Sequence, residues 1–211
     1  MEWSAQSVGL GVTRRDVLFA AMSLLISPAP LTVAARGDVM EQIEQDFGKR
    51  NPKAPQALSH FAFLIGRFKC QAKLKSPDGN WQMFNATWNG RFILDGYAIA
   101  DEFAMTGSAG ELVVLGMNVR TYDAAKRVWS IKWLNALSGI WTDLGSEEFG
   151  GVKITDNSIS YSFKEPVAAQ AYTRATYKAI SPEHFTWLGE KSDDGKSWTD
   201  FMVVECHRTR E

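Results

Sequence analysis

This sequence lacks an excess of charge of either sign. Lys and Arg number 23 against 24 Asp and Glu, so the formal net charge is -1. No block of basic residues follows the first part of the chain. Proteins that bind nucleic acid normally carry a basic patch or stripe. Nucleic acid is therefore not an expected partner.

Cysteine and histidine are also scarce. The chain has two Cys and three His, and none of them stands at the spacing of metal ligands. Structural zinc sites need several such residues at short, regular intervals. We therefore expect no metal site.

No hydrophobic run reaches the length of about 20 residues that spans a bilayer. The apolar run 17–26 follows the pair Arg14 and Arg15, and small residues up to Ala35 come after it. This order is typical of an export signal, and the paired arginines resemble a twin-arginine signal. The alternative is an ordinary secretory signal with an incidental arginine pair. We expect cleavage near Ala35, with the twin-arginine export machinery as a partner and the mature protein in the periplasm or secreted.

Hydrophobic residues make up 45% of the chain, and eight of its residues are Trp. This composition is typical of one globular domain with a sizeable core. Residues 36–58 are predicted to be a helical segment, because Asp38 is a good N-cap and apolar residues up to Phe47 follow at helical spacing. The stretch "APQALSHFAFLIG" predicts a second short helix or turn that leads to Gly66.

From Gly66 onward the hydrophobic pattern changes to period two. Short runs of strand-forming residues alternate with turn sequences such as "SPDGN" and "SDDGKS", with one break placed between runs 81–89 and 92–105. We interpret residues 59–211 as an all-β domain, an antiparallel up-and-down β-barrel of about ten strands. Closure of such a barrel removes exposed strand edges.

The two cysteines lie at opposite ends of this domain. Cys70 is on the first predicted strand and Cys206 is on the last. We expect these strands to be neighbours only if the sheet closes. The cysteines then form either a cross-strand disulfide or two small buried hydrophobic contacts.

Four stretches resemble the lipocalin-like proteins of the DUF1579 type, within the calycin group. They are "SHFAFLIGRF", "ATWNGRFILDGYAIADEF", "GMNVRTYDAAKRVWSIKW" and "WTDFMVVECHR", within residues 59–208. The resemblance implies a lipocalin-like barrel. Calycins usually carry G-x-W on the first strand, with the Trp stacked on an Arg from the last strand. Here Phe68 replaces the Trp, and Arg208 or Arg210 is the expected partner.

The strand "VWSIKWLN" suggests a binding pocket. Trp129, Trp133 and Asn135 share one face of it, which supplies apolar area and one orienting amide inside a barrel. The alternative is that the indoles simply fill the core. On the preceding strand Asn118 and Arg120 share a face, and Arg120 is suited to receive a carboxylate or phenolate of a ligand. The candidate ligand-binding residues are Trp88, Asn118, Arg120, Trp129, Trp133, Asn135 and Trp187.

Asp101 and Glu102 are adjacent on a predicted strand, so one of them should point into the barrel. A carboxylate there could act as a general base, or it could form a structural pair with Arg91 or Arg120. His60 lies near the expected mouth of the barrel and is either a helix-end residue or a base. If the protein is an enzyme, the candidate catalytic residues are His60, Asp101, Glu102 and Arg120.

The resemblance also bears on cofactors. Nitrobindin-like barrels of the calycin group hold haem b through a single His, but this chain lacks their G-x-W-x-G-x-G opening. We expect no cofactor, with haem b as the alternative. The sequence thus predicts an exported barrel that binds a small apolar or aromatic molecule in its lumen. The alternative is a cofactor-free lyase or isomerase that acts on a small aromatic or terpenoid substrate in the same cavity.

Overall fold

A computed structural model describes residues 48–164 and 171–209 of the chain. Two 3-10 helices, Gln56–Leu64 and Glu147–Phe149, accompany eleven β-strands. The strands are β1 (Gly66–Lys75), β2 (Trp81–Ile93), β3 (Ala98–Thr106), β4 (Leu112–Asp123), β5 (Val128–Asn135), β6 (Ile140–Leu144), β7 (Val152–Ile154), β8 (Ser158–Lys164), β9 (Tyr172–Lys178), β10 (His184–Ser192) and β11 (Thr199–Arg208).

All eleven strands belong to one antiparallel sheet, in the order β6-β5-β4-β3-β2-β1-β11-β10-β9-β8-β7. Neighbours in the chain are neighbours in the sheet, apart from β6 and β7, which form its two edges. The sheet curls into a half-barrel, and the amide of Gly145 after β6 donates to the carbonyl of Ser162 on β8 at 3.2 Å. The predicted all-β, antiparallel up-and-down barrel fold of about ten strands is confirmed, as a half-barrel of eleven strands among the described residues.

Period-two alternation in the sequence explains why these segments are strands. On β1, Phe68, Cys70 and Ala72 are buried while the residues between them are exposed. On β8, Ile159, Tyr161 and other odd-numbered positions are buried in the same way. Removal of these apolar side chains from water drives the sheet to curl around its inner face.

Cys70 and Cys206 form a disulfide between β1 and β11, where they stand directly opposite each other. Of the two outcomes left open by the sequence, the disulfide is therefore the observed one. The expectation that these strands become neighbours only when the sheet closes is wrong. The first and last strands pair in the middle of the sheet, and its edges lie at β6 and β7 instead.

The 3-10 helix Gln56–Leu64 covers one end of the half-barrel. Leu58, Phe61 and Leu64 are fully buried against the inner face of the sheet. The second short helix expected from the sequence is thus confirmed, and it runs across the predicted boundary at residue 58. The earlier part of the predicted helical segment, up to Phe47, lies outside the described residues.

Arg208 fixes this helix to the last strand. Its guanidinium lies over the Phe68 ring at 4.6 Å. It also donates to the carbonyls of Ile65 at 2.6 Å, Phe63 at 3.3 Å and Pro182 at 2.5 Å. The expected arginine partner of Phe68 is therefore Arg208, while the other candidate, Arg210, is outside the described residues.

The break predicted near Gly90 is wrong, because β2 continues through it to Ile93. A side chain at Gly90 would meet the carbonyl of Leu64, so glycine here allows the 3-10 helix to approach the strand. The turn lies further on, where Leu94, Asp95 and Gly96 have φ of 52°, 52° and 75°. Consecutive positive φ values are those of a tight hairpin turn.

Candidate ligand site

The inner face of the half-barrel lines a partly open cavity of about 230 Å³. Its walls are mostly aromatic and aliphatic, and the described lining residues carry no charged side chain. They are Trp88, Phe103, Val114, Asn118, Trp133, Leu144, Tyr161, Phe163, Thr173, Ala175, Tyr177, Trp187, Phe201, Met202 and Val204.

Two glycines make room for the indoles in this wall. A Cβ on Gly116 of β4 would meet the ring of Trp133 on β5. A Cβ on Gly189 of β10 would lie 2.6 Å from the ring of Trp187 and 2.8 Å from that of Phe201. The missing side chains at these two positions therefore allow large flat rings to lie against neighbouring strands and line the cavity.

A chain of polar side chains crosses the half-barrel beneath the cavity, and we call it the polar bridge. On one side Trp88 Nε1 and Asn118 Nδ2 each donate to Asp101 Oδ1 at 2.9 Å. The other carboxylate oxygen of Asp101 forms an ion pair with Arg120. Arg120 then donates to the Tyr177 hydroxyl at 2.8 Å, from β4 to β9. The polar bridge is Trp88, Asp101, Asn118, Arg120, Tyr161 and Tyr177.

The far end of the polar bridge is a pair of tyrosine hydroxyls. Those of Tyr161 and Tyr177 lie 3.5 Å apart, which is long for an O–H···O hydrogen bond. Burial raises the pKa of Tyr177 well above its ordinary value, although the positive charge of Arg120 offsets part of that rise. Tyr177 therefore stays protonated, and its hydroxyl can donate.

The ion pair itself lies behind the cavity wall. The side chains of Asp101 and Arg120 are fully buried. The guanidinium of Arg120 lies 5.0 Å from the centre of the Phe61 ring on the 3-10 helix. The two charges thus neutralise each other between the cavity and the helix, where water has no access.

The structure places four of the predicted ligand-binding residues in the cavity wall, namely Trp88, Asn118, Trp133 and Trp187. Arg120 is not among the lining residues, since Asp101 and Tyr177 hold it behind them. It is therefore not placed to receive a ligand carboxylate, as the sequence had suggested.

The other two predicted residues lie elsewhere. Trp129 packs against Phe61 at 4.9 Å and Tyr122 at 5.2 Å, and it lines a second, more open cavity of about 430 Å³. Asn135 accepts hydrogen bonds from the amides of Leu137 and Ser138, so its side chain shapes the β5–β6 turn. Trp129 and Asn135 share the inner face of β5 with Trp133, but at different depths.

The candidate catalytic residues are only partly brought together. Asp101 points inward and pairs with Arg120, as expected for one of the two adjacent carboxylates. Glu102 points outward and pairs with Arg91 at 3.3 Å on the exposed face. His60 is exposed on the 3-10 helix. Neither His60 nor Glu102 lines the cavity.

Three polar residues of the site were missed from the sequence. Tyr161, Thr173 and Tyr177 lie on β8 and β9 and line the cavity from the side opposite to β4. Thr173 is 1% exposed, and its hydroxyl has no hydrogen-bond partner among the described residues. The period-two alternation of these strands would have placed all three inside, but it carries no information on what faces them.

The lining residues do not fit a haem held by histidine. The rings of His184 and His207 are tilted against each other on the outer face, with 4.7 Å between their centres, and His60 is exposed, so no His lines the cavity. Within residues 48–164 and 171–209, no three His, Cys, Asp or Glu side chains are grouped as a metal site. The helices of these segments include none with the length and apolar character needed to cross a membrane.

Comparison with known proteins finds similarity in structure alone. No protein-family model and no curated protein matches the sequence, so the resemblance to the DUF1579 type stays a prediction.

The structure of Rv2717c from M. tuberculosis matches with a TM-score of 0.53 and 13% identity, over 75% of this chain and 100% of that one. An S-type phycobiliprotein lyase, CPES from Guillardia theta, matches with a TM-score of 0.47 and 8% identity, over 74% and 93%. A redesigned β-barrel, mFAP1, bound to DFHBI, matches with a TM-score of 0.36 and 16% identity, over 69% and 95%. The match to Rv2717c shows a likeness of fold alone and agrees with the antiparallel β-barrel architecture described above.

Proposed function

We propose that the protein is an exported barrel that binds a small, mostly aromatic molecule in its cavity. The observation that carries this proposal is the composition of the wall. Indoles and phenyl rings from several strands surround one partly open cavity, and a few polar groups lie among them. Pockets for small molecules typically combine apolar walls with a small number of placed polar groups.

The volume of the cavity limits the size of the ligand. At about 230 Å³ it is smaller than the pockets of about 300 Å³ or more that hold drug-sized molecules. It is larger than an apolar cavity of about 150 Å³ that binds benzene. A molecule with one or two rings is therefore the best fit.

Export forms the second half of the proposal. It rests on the order of Arg14, Arg15, the apolar run and the small residues up to Ala35. The disulfide between Cys70 and Cys206 supports it, because disulfides persist in oxidising compartments such as the periplasm. A folded barrel carried by a twin-arginine pathway would allow the ligand to be bound before export.

A lyase or isomerase in the same cavity is the alternative, and it would need an acid and a base that reach the substrate. Asp101 is poorly placed as that base. Trp88, Asn118 and Arg120 already occupy its oxygens, and it does not line the cavity. The binding role is therefore preferred, since the hydroxyls of Tyr161 and Tyr177 are better suited to hold a ligand than to remove a proton.

Native mass and an absorption spectrum of the protein, exported through its own signal and purified gently, test this proposal. We expect an added mass equal to that of a one- or two-ring aromatic molecule, and this added mass should be lost on denaturation. The same spectrum tests for haem, which would give a Soret band. A clean mass without ligand, together with no binding of added naphthalene, would contradict the binding role.

A further inference from the structure

The threonine in the cavity wall has an unsatisfied hydroxyl. Thr173 Oγ1 is buried and has no hydrogen-bond partner among the described residues. A buried hydroxyl without a partner costs about 1–3 kcal/mol. A side chain of the same shape without that group would be easier to accommodate, so a polar group at this point is best explained by something that enters the cavity.

Thr173 and the tyrosine pair mark opposite ends of the cavity. Thr173 and Tyr177 are four residues apart on the inner face of β9, which separates their Cα atoms by about 13 Å in a strand. Thr173 stands opposite Phe163 in the β8–β9 ladder, and Tyr177 stands opposite Ile159. Tyr161 stands opposite Ala175, between these two positions, and its hydroxyl lies 3.5 Å from that of Tyr177.

The tyrosine end offers donors to a ligand oxygen. The Tyr177 hydroxyl already accepts a hydrogen bond from Arg120, so its own proton remains to be donated. Tyr161 at 3.5 Å is too far to be a good acceptor for that proton. An oxygen of a bound molecule near both hydroxyls would satisfy them at normal hydrogen-bond distances.

The charge of the site favours an uncharged ligand. Asp101 and Arg120 neutralise each other, and no charged side chain is among the lining residues that the structure describes. Burial of a carboxylate without a free cation is costly, and the charge of Arg120 is already matched. A carboxylate-bearing ligand is thus disfavoured relative to a phenol or a ketone of the same size.

We infer that the ligand is an uncharged one- or two-ring aromatic molecule with an oxygen substituent at each end. One oxygen accepts from the hydroxyls of Tyr161 and Tyr177, and the other hydrogen-bonds to Thr173. The rings lie between them, against Trp88 and Trp133. This inference rests on the proposed binding function and adds the polarity of the ligand to it.

Calorimetric titration of the disulfide-bonded mature protein with three probes tests the inference. The probes are naphthalene, a naphthalene diol with hydroxyls at opposite ends of the ring system, and naphthoate. We expect the diol to bind at least tenfold more tightly than naphthalene, which corresponds to about 1.4 kcal/mol. Naphthoate should bind more weakly than the diol.

The variant Thr173→Val keeps the shape of the side chain and removes the hydroxyl. It should remove most of the advantage of the diol over naphthalene, and leave the melting temperature of the empty protein unchanged or raised. Tyr161→Phe should reduce the advantage of the diol over naphthalene in the same way. Thr176→Val, on the outer face of the same strand, is the matched control and should change none of these values.

The possible results separate the two proposals. Equal affinity for naphthalene and the diol, or an unchanged diol affinity in Thr173→Val, would overturn the inference and leave the binding function standing. Tightest binding of naphthoate would overturn the uncharged character of the ligand. Failure of all three probes to bind would overturn both proposals.

Discussion

Asp101 and Glu102 show how one position along a strand decides the role of a carboxylate. Asp101 is fully buried with Arg120, whereas Glu102 is about half exposed with Arg91. A surface ion pair contributes little because water screens it. A buried pair cannot lose one member without leaving an uncompensated charge in a medium that solvates it poorly.

The substitution Asp101→Asn should therefore destabilise the protein by about 3 kcal/mol or more. It leaves Arg120 buried without a counter-charge. Urea denaturation measures the change. Glu102→Gln is the matched control, on the opposite face of β3, and should cost less than about 1 kcal/mol. Equal, small effects of both substitutions would contradict a buried ion pair.

The burial of Tyr177 predicts that the folded protein loses stability at alkaline pH. The folded-state pKa of Tyr177 lies above the ordinary value because of burial, so the folded form holds the proton more tightly than the unfolded chain. The contribution of Tyr177 to the free energy of unfolding is complete below pH about 10. It is lost as the pH rises from there through the pKa of Tyr177 in the folded protein. Between the unfolded and folded pKa values, this one proton lowers the free energy of unfolding by about 1.4 kcal/mol for each pH unit.

Denaturation at a series of alkaline pH values checks this prediction. Tyr177→Phe should be less stable than the wild type at neutral pH, because Arg120 loses an acceptor, but its stability should fall less steeply above pH about 10. Tyr97→Phe, an exposed tyrosine at 42%, should keep the wild-type slope. Identical slopes in all three proteins would show that Tyr177 does not titrate as a buried group.

The contact of the 3-10 helix Gln56–Leu64 with β11 depends on one side chain. The guanidinium of Arg208 serves two carbonyls at the end of this helix and one before β10, and it covers the Phe68 ring. Lysine lacks the planar arrangement of donors that this requires. Arg208 therefore connects the helix to the sheet in a way that a simple positive charge does not.

Arg208→Lys should destabilise the protein by about 2 kcal/mol, since carbonyls of Phe63 and Ile65 lose their donors. Thermal denaturation measures the loss, and hydrogen exchange should show increased exposure of the helix. Arg91→Lys, on the exposed face, provides the comparison and should have little effect. Unchanged exchange in the helix would mean that its burial alone holds it in place.

The elements were largely predictable from the sequence, because burial on one face imposes a period of two. The strand break predicted near Gly90 is wrong because glycine occurs both in turns and at close contacts within strands. "NGR" has the composition of a turn, yet Gly90 lies within β2 so that Leu64 can approach. A contact between segments about 26 residues apart in the chain leaves no local pattern.

The candidate site was predictable on one side of the barrel only. Alternation required one of Asp101 and Glu102 to face inward, and it placed Asn118 and Trp133 on inner faces. Alternation does not give the depth of a residue along the barrel. It therefore assigns Trp129 and Trp133 to one pocket, although the two line different cavities. The bond from Arg120 to Tyr177 joins residues 57 apart, and only the curl of the sheet brings them together.

At the scale of the whole molecule, the disulfide joins the first and last strands of the chain, β1 and β11, which pair in the middle of the sheet. It links Cys70 and Cys206, which are 136 residues apart in sequence. A cross-link over so long a loop reduces the conformational freedom of the unfolded chain. Loss of such a disulfide typically lowers the free energy of unfolding by about 2–5 kcal/mol. The double variant Cys70→Ala/Cys206→Ala should lose this amount in urea denaturation. A reducing agent should lower the wild type to the same level and leave the variant unchanged.

The curled sheet, the 3-10 helix that covers one end and the polar bridge together create an aromatic cavity inside the half-barrel. The sheet supplies walls from both halves of the chain, and the ion pair of Asp101 and Arg120 joins β3 and β4 beneath it. Such a cavity has a cost, because its lining side chains lack contacts on one side. A binding function explains why a small barrel keeps such a cavity.

The most direct measurement is the location of a bound aromatic probe by NMR. In protein with labelled methyl groups, naphthalene should give intermolecular contacts to methyls that line the cavity, namely those of Val114, Leu144, Met202 and Val204. Exposed Met83, Leu112 and Leu137 should give none. Contacts confined to these exposed residues, or none at all at saturating naphthalene, would contradict a ligand site inside the barrel.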